Sequence, residues 1–118
     1  MIDHIGLRSR DVTALVKFYE AALAPLGWTK LSDYEGGAGF GEKTPVLWIG
    51  KGDPRSAMHL ALAGASRAAV NAFYNAALAA GAKDNGKPGL RPEYHANYYA
   101  AFVLDPEGNN LEAVCHQA

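Results

Sequence analysis

Two histidines and a glutamate, His4, His59 and Glu112, make up the donor set of facial-triad metal sites, in which two imidazoles and one carboxylate leave coordination positions open to water or substrate. They lie far apart along the chain, so they act together only if the fold gathers them. On pattern alone the three read either as a metal centre or as hydrogen-bonded polar residues. A second group, Arg91, Tyr94, His95 and Tyr98, clusters in one short stretch. A histidine flanked by tyrosines and an arginine over a cavity suits an anionic or aromatic substrate and can shuttle a proton; the same stretch also reads as a surface loop with aromatics tucked beneath it. His116 reads as a frayed end rather than a partner of Glu112.

The elements that would position these residues come from an internal repeat. Sliding the chain by 55 positions pairs His4-Ile5-Gly6-Leu7 with His59-Leu60-Ala61-Leu62, and Phe18-Tyr19 with Phe73-Tyr74; nine of the 22 residues from 4 to 25 are identical in the second copy. Each copy opens with a strand-like run, 2–8 and 57–63. Asp11 and Ser66 follow as N-caps, whose side-chain oxygens accept from first-turn N–H groups. Leu15, Phe18, Tyr19, Ala22 and Leu23, and in the second copy Val70, Phe73, Tyr74, Ala77 and Leu78, form the apolar stripe of an amphipathic helix. Gly27 and Gly81 end the helices. Strands follow at 28–34, 37–41 and 45–50, and in the second copy at 98–104 and 110–116, the last pair joined by the turn Asp105-Pro106-Glu107-Gly108-Asn109. The stretch 84–97, with its two prolines and two glycines, is expected to be a mobile loop. Each copy is thus a βαβββ unit, the first about 1–53 and the second about 54–118, within a single domain of α+β class.

Residues i and i+2 of a strand share a face. With Ile5, Leu7, Leu60, Leu62, Leu111 and Ala113 turned to the helices, His4, Gly6, Arg8, His59, Ala61 and Glu112 face the free side. Trp48 joins them as an apolar pocket wall, since Leu47 and Ile49 take the helix side.

Bulk composition narrows the partners. Eleven basic and twelve acidic residues give a net charge of −1, so no basic footprint for nucleic acid exists, and no apolar run is long enough for a membrane span. The N-terminus lacks the basic and apolar regions of a signal peptide, and the lone Cys115 cannot form an internal disulfide, so a cytoplasmic location is expected. The glycines from Gly36 to Gly41 are turn residues; no Gly-Lys-Ser/Thr comes after them to make a phosphate loop.

These motifs resemble the vicinal oxygen chelate superfamily of glyoxalase I, bleomycin-resistance proteins and extradiol dioxygenases. The resemblance rests on Asp3-His4-Ile5-Gly6-Leu7, Phe18-Tyr19, Met58-His59-Leu60-Ala61 and Asp105-Pro106-Glu107-Gly108-Asn109-Asn110-Leu111-Glu112, and spans essentially the whole chain. It implies two βαβββ modules forming a cupped mixed sheet with helices on the outer face, usually in a homodimer. It also implies a divalent metal (Zn, Ni, Mn or Fe) on His4, His59 and Glu112, with Glu112 also taking a proton. Trp48 stands at the fourth family position, where glyoxalase I-like members carry a carboxylate. The resemblance therefore points away from that isomerase and toward the three-ligand pattern of fosfomycin-resistance transferases and extradiol dioxygenases. The activity so implied is that of a lyase, isomerase, transferase or dioxygenase on a small oxygen-chelating substrate; bleomycin-resistance proteins, which bind hydrophobic molecules without metal, share the fold.

Overall fold

The computed structural model describes residues 2–118. Two βαβββ modules stand one after the other, as the repeat predicts. The first holds β1 (Ile5–Ser9), α1 (Val12–Leu23), a short 3-10 turn (Ala24–Leu26), β2 (Thr29–Tyr34), β3 (Gly37–Gly41) and β4 (Leu47–Lys51). The second holds β5 (His59–Ala63), α2 (Arg67–Ala79), β6 (Lys83–Leu90), β7 (Tyr99–Leu104) and β8 (Asn110–Cys115). Each module forms its own four-stranded mixed sheet, in the orders β1-β4-β3-β2 and β5-β8-β7-β6. The first strand of each pairs in parallel with the last, Gly6 beside Trp48 and Ala61 beside Glu112. The helix between them makes the crossover that a parallel pair requires.

Local chemistry sets the helix ends. The Asp11 carboxylate accepts from the Ala14 N–H and the Ser66 hydroxyl from the Ala69 N–H, and Gly27 and Gly81 take the left-handed backbone (φ 85° and 105°) that stops each helix. The apolar stripes of both helices bury into one core with Leu7, Phe40, Leu47, Ile49, Leu111 and Ala113 from the sheets, and α1 also packs on α2. Burial on this scale, at roughly 25 cal/mol per Å² of apolar area, is what holds the two modules as one body.

One polar junction ties the modules together. In the turn after β7 the Asp105 carboxylate accepts from the Glu107 and Asn109 N–H groups and from the Asn109 side-chain amide. It also accepts from the Tyr19 hydroxyl of α1, at 2.6 Å. Burial, then the neighbouring Asp105 carboxylate, holds the Tyr19 phenol well above its ordinary range. Asn109 reaches on to accept from the Met58 N–H, 2.8 Å away, fixing the entry to β5. Glu107 accepts from the Ser9 hydroxyl at the end of β1.

The segment 84–97 departs from its expected form. Residues up to Leu90 belong to β6, an antiparallel edge strand on β7, and only the residues beyond Leu90 form a turn. An edge strand tolerates Pro88 because one side needs no ladder donor. The glycines absorb the irregularity: the register shifts on either side of Gly86, whose φ of 153° and close approach to Phe102 leave no room for a side chain.

Candidate functional site

The open face of the second sheet carries the chemistry. His59 begins β5 and Glu112 lies in β8, and the parallel register brings the His59 Nε2 within 3.1 Å of the Glu112 Oε2. The His59 Nδ1–H donates to the Asn110 carbonyl at 3.1 Å. That bond settles the ring: Nε2 either bears a second proton against the carboxylate or presents a bare lone pair beside it. Glu112 is 2 % exposed, a charge-bearing group sunk into the sheet face. A carboxylate so buried needs partners to offset its lost hydration. Its Oε1 receives the Tyr98 hydroxyl, and burial, followed by the hydrogen bond and charge of Glu112, pushes the Tyr98 phenol up to about 12.

Aromatic rings pave the surroundings. Phe102, opposite Glu112 on β7, stacks with the His59 ring at 6.4 Å and lies under the Arg91 guanidinium at 5.4 Å. Arg91 is held there by donating to the Lys87 carbonyl at 2.7 Å. Tyr94, His95 and His116 each pack edge-on against the Tyr98 ring. Of the four, Tyr98 alone touches Glu112; Tyr94 and His95 pack on Tyr98, and Arg91 lies over Phe102.

His116, expected as a frayed end, is instead a ring partner. The Asn97 N–H donates to the His95 Nδ1, so in the neutral ring the proton sits on Nε2, which donates to the His116 Nδ1 at 2.7 Å. Sequence reasoning passed over Phe102 as well. Its signal was its place on the strand opposite Glu112, readable only once the β7–β8 register is known.

His4 and Trp48 lie elsewhere. β1 begins at Ile5, so the strand alternation that assigned His4 to the open face ends one residue short of it. His4 is exposed, its Nδ1 2.7 Å from the Asp3 carboxylate, and it borders a cavity of about 270 Å³ with Trp28, Leu47 and Leu60 at the seam between modules. Trp48 lies on the open face of the first sheet, near Tyr34. Among the described residues no group of three or more His, Cys, Asp or Glu side chains comes close enough to hold a metal ion within the chain. Among them, too, no helix is long and apolar enough to cross a membrane.

Comparison with known proteins leads the same way. A family model described as Glyoxalase/Bleomycin resistance protein/Dioxygenase superfamily matches residues 1–113. A glyoxalase/bleomycin resistance protein from Albidiferax ferrireducens superposes with a TM-score of 0.80 at 26% identity, over 95% of this chain and 96% of that one. A family enzyme from Burkholderia phytofirmans gives 0.78 at 19% identity over 98% of both chains. A glyoxalase I mutant from Zea mays gives 0.71 at 25% identity, with 96% of this chain matching 46% of that longer one. No curated protein sequence matches.

Proposed function

Since the chain belongs to the Glyoxalase/Bleomycin resistance protein/Dioxygenase superfamily, we propose that it is a divalent-metal-dependent enzyme acting on a small substrate with two neighbouring oxygens. The observation that carries this reading is the His59–Glu112 pair. Metal-bound histidines characteristically give their other ring N–H to a carbonyl or carboxylate, and His59 does so to Asn110. The free Nε2 then stands 3.1 Å from a carboxylate oxygen, about the separation of adjacent donors that each lie roughly 2.0–2.2 Å from one metal. The donor types fit Zn, Ni, Mn or Fe. Because His4 lies away from this pair within one chain, the third donor would be His4 of a second copy, and the working unit would be a homodimer.

When bound, the metal supplies Lewis-acid polarisation of the two substrate oxygens. The chain's own residues do the rest. Glu112 takes the proton lost by the substrate, and the Tyr98 hydroxyl fixes the orientation of the carboxylate while it does so. Arg91, with Tyr94 and His95, holds the substrate's anionic or aromatic end against Phe102 and away from water.

Metal content of protein purified without chelator tests the proposal. Wild type is expected to carry metal, and His59→Ala and Glu112→Gln to lose it. His4→Ala is expected to lose it too, and co-refolding His4→Ala with His59→Ala to restore about a quarter of the sites, since only mixed twofold dimers contain one complete set. Metal unaffected by these substitutions refutes the centre; no recovery on mixing refutes its sharing between copies.

Trp48 favours a second reading. By resemblance it takes the family's fourth ligand position, and an indole there suits a metal-free protein that sequesters a hydrophobic molecule. Ligand binding that persists in strong chelator without turnover would select it.

A further inference from the structure

The tip of the turn between β6 and β7 is tied to the rest of the molecule at one polar point. Pro92 to Asn97 are all exposed, and the turn's backbone bonds close on the turn itself, from the Tyr94 N–H to Arg91, from Tyr98 to His95 and from Arg91 to Tyr98. Arg91, through the Lys87 carbonyl, and Tyr98, through Glu112, fasten its two stems. Among the described residues, the bond from the His95 Nε2 to the His116 Nδ1 is the only hydrogen bond that leaves the tip.

That bond works together with a second one. The Asn97 N–H donates to the His95 Nδ1 at 3.0 Å, which keeps the proton of the neutral ring on Nε2, and His116 accepts that proton at 2.7 Å. Each bond favours the tautomer the other requires, so the two strengthen one another. Both nitrogens of His95 are thereby engaged inside the protein, and a ligand meets this residue through its ring alone.

The register that pairs Tyr99 with Cys115 sets His116 opposite Tyr98. Three edge-on neighbours enclose the Tyr98 ring, with centroids 4.9 Å away for Tyr94, 5.2 Å for His116 and 5.4 Å for His95. The His95–His116 bond joins two of these walls, and the hydroxyl of the enclosed ring reaches the Glu112 Oε1.

We infer that His116 is a positioning residue: acting through His95, it holds the Tyr98 ring at the angle from which its hydroxyl orients the Glu112 carboxylate. The use of that orientation rests on the metal-dependent reading above; the clasp itself does not.

Nuclear magnetic resonance in the presence of EDTA tests the clasp. His116→Ala is expected to speed exchange of the Asn97 amide about tenfold, the equivalent of one lost hydrogen bond, and to speed flipping of the Tyr98 ring. The urea midpoint should stay nearly in place, because both histidines are exposed. His116→Asn, whose side-chain oxygen stands where the histidine Nδ1 does, should restore both rates; His116→Phe, which keeps a ring without an acceptor, should not. Unchanged rates in His116→Ala, or recovery in His116→Phe but not in His116→Asn, overturn the clasp. Titration with Zn²⁺ then reads the link to Glu112: His116→Ala should weaken binding about tenfold and His116→Asn should return it. Full affinity in His116→Ala overturns the positioning role. Wild type that binds no Zn²⁺ strikes the metal reading alone, and the Tyr98 ring rates still decide the positioning.

Discussion

Replacing Asp105 with alanine removes a carboxylate that accepts four hydrogen bonds from two parts of the chain: the turn before β8 and the Tyr19 hydroxyl of α1. Asp105 is 5 % exposed and Tyr19 fully buried, so water cannot readily take over these bonds. A buried hydroxyl left without its acceptor loses about 1–3 kcal/mol, and bonds to an ionised acceptor are worth about 1.5–3 kcal/mol each before relaxation. Because they form one network they do not add, and about 3–5 kcal/mol is the expected total, a large share of the roughly 5–15 kcal/mol that holds a domain folded. Tyr19→Phe, which removes only the hydroxyl, should lose about 1–2 kcal/mol. Urea unfolding followed by tryptophan fluorescence measures both, and the double mutant gives the coupling. A loss below about 1 kcal/mol for Asp105→Ala, or additive effects of the two substitutions, would refute the view that this junction joins the modules.

Three further outcomes are expected. Gly41→Ala should destabilise the fold by about 1–3 kcal/mol in the same urea assay, because its Cβ would fall 1.9 Å from the Thr44 backbone carbonyl oxygen and the backbone must shift. The Tyr98 phenol, raised from 10.0 to about 12, contributes stability that is complete below pH 10 and disappears as pH climbs toward 12; ultraviolet titration of wild type against Tyr98→Phe tracks it, and Glu112→Gln should move the midpoint down. Ser66→Ala should lose about 1 kcal/mol in urea by leaving the Ala69 N–H uncapped, with the Asp11→Ala loss similar.

What the chain's order of residues determined was local or periodic. The 55-residue repeat, the caps at Asp11 and Ser66, the glycine stops and the stripe from Leu15 to Leu23 depend on interactions within one turn of helix or one strand, so they read directly. Period-2 alternation also put His59 and Glu112 on the free side of their strands, although only the β5–β8 register brings them within 3.1 Å. What only the tertiary structure decided depended on distance and register between elements. Alternation cannot say where a strand begins, so it carried His4 onto a face that starts at Ile5. Composition made 84–97 a loop, whereas β7 offered an edge on which bulges at Gly86 and Gly89 let Lys83–Leu90 pair. The span from Tyr19 to Asp105, the meeting of His95 with His116 and the place of Phe102 beneath Arg91 join residues that no local preference connects. The first exists because the two modules pack around one core, the others because β6, β7 and β8 lie side by side in one sheet.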